Sequence, residues 1–292
     1  MVWSRWRRAA VAASWMCFVL GGTVLDSAAG SLSIAPTRLV FDGHTRVATV
    51  YLSNKGDQPA TYRILLKDKR MLETGQIVDA ETPLPGERPA SDLIRYSPRE
   101  VVVPPHGSQT VRIMLRNPSE GQLASGEART HLVFQSVPAV PTAEELAARR
   151  DRIVAQAIIE TSIPVIIRRD NPTAAISLGA AQLDSLPDRD GKAVLQVVLD
   201  RAGERSVYGD LSVDLEAGGS TTRVGLMVGL AVYTPTPRRV IRLPLTLDRE
   251  QLPRSGRLVV RFAETEVGHG DLVADTYLEF VAGDRKGSEA AR

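Results

Sequence analysis

The chain has 292 residues, 36 lysines and arginines against 34 acidic residues, a formal charge of +2 and one cysteine, Cys17. Near-neutral charge without a basic tract leaves no electrostatic footprint for nucleic acid, and one cysteine excludes an internal disulfide and a cysteine-based metal site. The length suits two domains, and 18 prolines and 23 glycines spread among short Val/Ile/Leu runs predict an all-β architecture.

Residues 1–29 join Arg5, Arg7 and Arg8 to an apolar run over residues 9–20 and to small residues at Ser27 and Ala29. That order predicts a secretory signal peptide cleaved after Ala29. The apolar run is too short, and followed too soon by Gly21 and Gly22, for a membrane span, and no later stretch is long and apolar enough to insert. Cleavage removes Cys17, three arginines and Asp26, so the mature chain has no thiol and equal numbers of basic and acidic residues.

Beyond the leader the sequence reads as short strands separated by turn chemistry. LSIAPTRLVFDG is one extended segment broken at Pro36 and stopped at Asp42-Gly43. RVATVYLSN alternates Val47, Thr49 and Tyr51 against Ala48, Val50 and Leu52, and ATYRILLKDK follows a turn at residues 57–59. Residues 83–89 form a loop by composition. IRYSPREVVVPPHGSQTVRIML predicts two strands around residues 104–107, and RTHLVFQSV predicts one more. The connection over residues 138–152 is polar, with a helix-start signature at Thr142 and Glu145 but no apolar face.

Residues 153–168, IVAQAIIETSIPVIIR, form the longest strand pattern of this half. Ile153, Ala155, Ala157, Ile159, Thr161 and Ile163 share one side, which is apolar along most of its length. Pro164 cannot donate to a ladder and points to a sheet margin or a bulge. Two readings stand side by side: an ordinary core strand that contains proline, and a strand kept available to pair with a partner, since an apolar edge left bare is an aggregation hazard.

Asn171-Pro172 marks a linker. The strand pattern then restarts in AAISLG, KAVLQVVLDR, GDLSVDLEA, RVGLMVGLAVY, RRVIRLPLTL, GRLVVRFAE and DLVADTYLEF. The expected domains are residues 30–169 and 173–281, followed by a fraying tail over residues 282–292.

Motifs of catalysis are missing: no G-x-S-x-G, no phosphate loop, no H-E-x-x-H and no dinucleotide fingerprint. His44, His106, His131 and His269 stand apart from one another, without metal-ligand spacing. The expectation is a protein without catalysis, cofactor or metal.

Several stretches resemble the periplasmic chaperones of the chaperone–usher pilus family: TRLVFDG at residues 37–43, VYLSN at 50–54, VVVPPHGSQTVRI at 101–113 and GEARTHLVFQSVP at 126–138. The likeness is dense over residues 32–168 and thin beyond. It implies two immunoglobulin-like β-sandwiches in a boomerang arrangement, located in the periplasm. The implied partners are pilin or fimbrial subunits and an outer-membrane usher, with no nucleic acid and no direct insertion in a membrane. The chaperone lends a strand to a subunit that lacks its own last strand, and by position Ile153, Ala155, Ala157 and Ile159 are the lent face. The resemblance makes Arg38 one of two cations that anchor the subunit's terminal carboxylate. The second, a lysine, falls on Pro164, so Arg38 acts alone, a neighbour such as Arg169 substitutes, or the strand does most of the holding. It also implies an interdomain ion network of Glu127 and Arg168 with Glu264 or Glu266.

Two rivals belong to other classes. One is an exported immunoglobulin-like structural or adhesive envelope protein whose last strand pairs with its own sheet. The other is a secreted β-sandwich hydrolase, for which the sequence offers no paired His and acid.

Overall fold

A computed structural model describes residues 32–43, 45–116, 125–138, 157–184, 187–266 and 272–280. The predicted signal peptide, the residue 138–152 connection beyond Pro138, and the tail lie outside them. Apart from two single 3-10 turns, Ser91–Leu93 and Arg249–Gln251, the regular elements described are all strands.

The segment read as one broken strand is two strands in different sheets. β1 (Leu32–Ala35) pairs antiparallel with β3 (Val47–Asn54), whereas β2 (Leu39–Phe41) pairs parallel with β11 (Glu160–Arg169). Pro36 lies between them, where a ladder has lost a donor and the chain crosses from one layer to the other. The remaining strands of this half are β4 (Ala60–Lys67), β5 (Lys69–Met71), β6 (Ile77–Asp79), β7 (Ile94–Ser97), β8 (Glu100–Val103), β9 (Ser108–Leu115) and β10 (Gly126–Val137). Residues 94–115 thus hold three strands, not the two expected. Pro98 cannot continue the ladder that β7 makes with β9, and β8 leaves to pair with β4 in the opposite sheet.

The layers are β1-β3-β9-β7 and β2-β11-β10-β4-β8, with the β5–β6 hairpin outside them. Alternation sets what each strand buries: in β3, Val50 and Leu52 are inside while Val47 and Tyr51 face solvent. Phe41, Leu52, Ile64, Ile113, Leu132, Phe134 and Ile167 fill the space between the layers. Each contributes about 1.5–3 kcal/mol of transfer free energy.

Asp170 and Asn171, both with positive φ (59° and 47°), turn the chain out of β11. Their short polar side chains tolerate that left-handed region better than most. A second sandwich follows from β12 (Ala174–Leu178), β13 (Gln182–Leu183), β14 (Lys192–Gly203), β15 (Val207–Ala217), β16 (Ser220–Val232), β17 (Arg238–Asp248), β18 (Gly256–Glu264) and β19 (Val273–Phe280). One sheet is β16-β15-β18-β19; in the other, β12, β13 and β17 flank β14. β13 went unforeseen, because two residues are too few to show alternation. Leu195, Leu199, Leu211 and Phe262 lie at the centre. Gly209 sits where a Cβ would lie 2.1 Å from the Ala263 carbonyl oxygen, so the β15–β18 approach requires glycine there.

β11 serves two cores. Ile163, Val165 and Ile167 point into the first sandwich, while Ile166 packs with Met71, Ala231 and Tyr233, flanked by Val40, Ile77 and Tyr208, where the two sandwiches meet. The β5–β6 hairpin reinforces that junction: Thr236 Oγ1 donates to the Met71 carbonyl at 2.9 Å and Val240 N to the Glu73 carbonyl at 2.7 Å. Among the described residues, no helix is long and apolar enough to cross a membrane.

Candidate functional site

The first component of the site is an edge. β10 pairs with β11 along its whole length, from Gln135 opposite Glu160 to Gly126 opposite Arg169, but β2 covers the other side only at Val165, Ile166 and Ile167. Residues 160–164 are therefore bonded on one side among the described residues. Ser136 N donates to the Ile159 carbonyl at 2.9 Å. By the alternation of an antiparallel ladder, the backbone groups of Glu160 and Ser162 then face the open side. Pro164 is next in that series, so its missing donor falls where β2 begins. This places the proline at a sheet margin.

The apolar residues leading into this edge are outside the cores. Ile158 and Ile159 are 60% and 38% exposed, and Ala157 is exposed too. Ile163, on the same face as Ile159, is only 3% exposed because it already lies between the layers. Lys67 Nζ donates to both carboxylate oxygens of Glu160 at 2.8 and 2.9 Å, and Gln135 Nε2 donates to Oε1 at 2.9 Å, so the start of β11 is held in place. Ile153 and Ala155 lie outside the described residues.

The second component is a buried ion network on the interface side of β10 and β11. Arg168 Nε donates to Glu127 Oε2 at 2.9 Å, and the two side chains are 4% and 0% exposed. Glu127 also accepts from Ser206 N at 3.0 Å, from the Ser206 hydroxyl, and from Thr234 Oγ1 at 3.3 Å. It is thus tied to the second sandwich at two places. Burial works against the Arg168 cation, but the adjacent Glu127 and Glu266 carboxylates outweigh it and hold the guanidinium pKa above its usual value. Of the two residues named as a third member, Glu266 is the one on Arg168, at 3.0 and 3.1 Å. Glu264 turns instead to Arg205, which donates to both of its oxygens. Both share one parity; Glu264 is the last residue of β18 and is buried opposite Gly209 of β15, while Glu266 lies beyond the strand's end.

Arg38 joins the same network. Its Nη2 lies 3.3 and 3.4 Å from the two oxygens of Glu266, and its guanidinium stands over the rings of Tyr208 and Tyr233, 4.8 and 5.9 Å from their centroids. Its Nε and Nη1 are buried without a hydrogen-bond partner among the described residues. The sequence reading missed two residues of β10 that flank this region, Arg129 and His131. Arg129 stacks on Tyr233 at 4.3 Å, again with Nε and Nη1 unpartnered among the described residues, and burial lowers its pKa. His131 is opposite Pro164 in register and edge-on to Tyr233, with Nδ1 unpartnered among the described residues. Burial, with Arg129 and Lys69 nearby, pushes the imidazole down to about 3. Alternation on β10 puts Glu127, Arg129 and His131 on one face, and that pattern was available in the sequence. Among the described residues, no group of three His, Cys, Asp or Glu is arranged to hold a metal.

Fold and site together define a two-domain immunoglobulin-like protein with a half-open strand edge beside a charged interdomain junction. Residues 31–172 match the family described as pili and flagellar-assembly chaperone, PapD N-terminal domain. The family is one of non-enzymatic chaperones that work in the periplasm. No curated protein matches the chain in sequence. Among solved structures, the chain is similar to the CupB2 chaperone of Pseudomonas aeruginosa, at 15% identity over 86% of this chain and 100% of that one, with a TM-score of 0.42. It is similar to the E. coli chaperone DraB at 14% identity over 85% and 95%, with a TM-score of 0.41. It is also similar to a chain of the CsuC–CsuE chaperone–tip adhesion subunit pre-assembly complex of Acinetobacter baumannii Csu pili, at 12% identity over 86% and 98%, with a TM-score of 0.41.

Proposed function

We propose that this protein is a periplasmic chaperone that binds pilin or fimbrial subunits by adding its β11 edge to their incomplete sandwich, then delivers them to an outer-membrane usher. It performs no chemistry on them. The observation that carries this reading is the edge itself: main-chain groups of Glu160 and Ser162 face a side uncovered among the described residues, and Ala157 to Ile159 lead into it exposed. A subunit lacking a strand has the complementary defect, since each buried main-chain group left unpaired costs it about 1–3 kcal/mol. Ile153, Ala155, Ala157 and Ile159 supply the alternating side chains that fill its core, and Arg38 takes its terminal carboxylate. The working domains are residues 30–169 and 173–281. Glu127, Arg168 and Glu266 hold the two together so that edge and anchor keep a fixed relation.

The test is co-purification of a co-expressed pilin subunit in two forms. The natural subunit should be retained, whereas a variant that carries a fused copy of its own missing strand should not be. Equal retention of both forms would contradict strand addition.

A further inference from the structure

The contact between Arg38 and Glu266 has the geometry of a resident counter-ion that can be exchanged. Charge-assisted N–H···O bonds are ordinarily about 2.7–2.9 Å, whereas both Glu266 oxygens lie 3.3 and 3.4 Å from Arg38, and both on the same nitrogen, Nη2. Glu266 is held more closely by Arg168, at 3.0 and 3.1 Å, and has Arg205 within 4.0 Å. Losing Arg38 therefore leaves its charge compensated. Arg38 is the less satisfied partner: among the described residues Nε and Nη1 have no acceptor although the side chain is 10% exposed. Tyr208 and Tyr233 fix its plane, so those donors keep their direction.

Both fork edges of a guanidinium, the Nε side and the Nη1 side, end on Nη2. A carboxylate that engages either edge in the two-bond manner must approach the atom Glu266 already occupies. Two carboxylates a few ångströms apart in a site of low exposure repel strongly. We infer that Glu266 occupies Arg38 as an internal competitor, and that the chain-terminal carboxylate of a bound polypeptide displaces it toward Arg168 and Arg205. The contact lowers the affinity of the anchor and assists release. It also links occupancy of the anchor to the ion network between the domains, because one glutamate serves both. This inference rests on the assignment of Arg38 as a carboxylate anchor.

The experiment uses the mature protein and a short synthetic peptide of alternating apolar residues, once with a free terminal carboxylate and once as its amide, with binding read by titration calorimetry. Wild type should prefer the carboxylate form, and Arg38→Ala should remove that preference. Glu266→Gln should raise the preference for the carboxylate form over the amide form about tenfold relative to wild type, because one competing charge has been removed. If Glu266→Gln does not fold, Glu266→Asp, whose shorter side chain withdraws from Arg38, should give a gain in the same direction. A carboxylate preference that stays equal or falls in the Glu266 variant overturns the inference, while a preference lost in Arg38→Ala leaves the anchor standing. A carboxylate preference that survives Arg38→Ala, or no preference in wild type, overturns both.

Discussion

Arg168 and Glu127 form an ion pair across β11 and β10 with Nε and Oε2 2.9 Å apart and both side chains out of solvent. Glu127 then accepts from Ser206 N in the second sandwich, so the pair is one point at which the first sandwich grips its neighbour. Replacing Glu127 with Ala leaves a buried guanidinium short of a partner. The expected loss is about 3–5 kcal/mol, and the junction should loosen. Chemical unfolding should then show a lower midpoint and separate transitions for the two sandwiches, where wild type unfolds with closer coupling.

His131 makes stability depend on pH in a window set by one group. Its folded pKa is about 3, below the ordinary 6.5, because burial and the Arg129 and Lys69 charges disfavour the cation. The folded state therefore binds fewer protons than the unfolded chain below 6.5. Stability from this source is present in full above that pH and is lost as pH falls from 6.5 toward 3, by about 1.4 kcal/mol per unit. Asp79, whose pKa is lowered chiefly by its bond from Lys69, contributes in the same sense only nearer the usual carboxylate range. Unfolding midpoints measured between about pH 6.5 and 5 should fall steadily in wild type and flatten in His131→Phe.

Much of this site was legible in the sequence, and the shortfalls have definite causes. Alternation in residues 153–168 separated the face that holds Ile159 and Ile163, but it could not say where along that face the sandwich ends. The boundary falls between Ile163, at 3% exposure, and Ile159, at 38%, because Ile163 lies between the two layers while Ile159 precedes β11. Pro164 marked the margin for the right physical reason, the missing donor. Pro36 was read as a break, yet the exchange of sheets between β1 and β2 depends on two partners far off in sequence, which no local pattern encodes. Glu264 and Glu266 were indistinguishable in sequence, since the difference lies in whether β18 has ended. Arg129 and His131 carried the same alternation as Glu127, but buried charge runs against the usual surface placement of arginine, and only the face of the second sandwich explains it.

Arg38 separates binding from stability. Glu266 keeps Arg168 when Arg38 is removed, so Arg38→Ala should lower the unfolding free energy by no more than about 1–2 kcal/mol. Retention of a co-expressed subunit should fall markedly. A midpoint loss as large as that of Glu127→Ala would assign Arg38 to the junction instead.

The lent strand is tested most directly by one charge placed at two positions on the same face. Ile159 is 38% exposed and Ile163 is 3% exposed. Ile163→Asp buries a carboxylate in the chaperone's own core and should unfold it, at a cost of several kcal/mol. Ile159→Asp should leave the purified protein with a normal unfolding midpoint and abolish retention of a co-expressed pilin, because the charge meets an apolar groove only in the complex. A strongly lowered midpoint in Ile159→Asp, or a normal midpoint with pilin still retained, would contradict the donation of this strand.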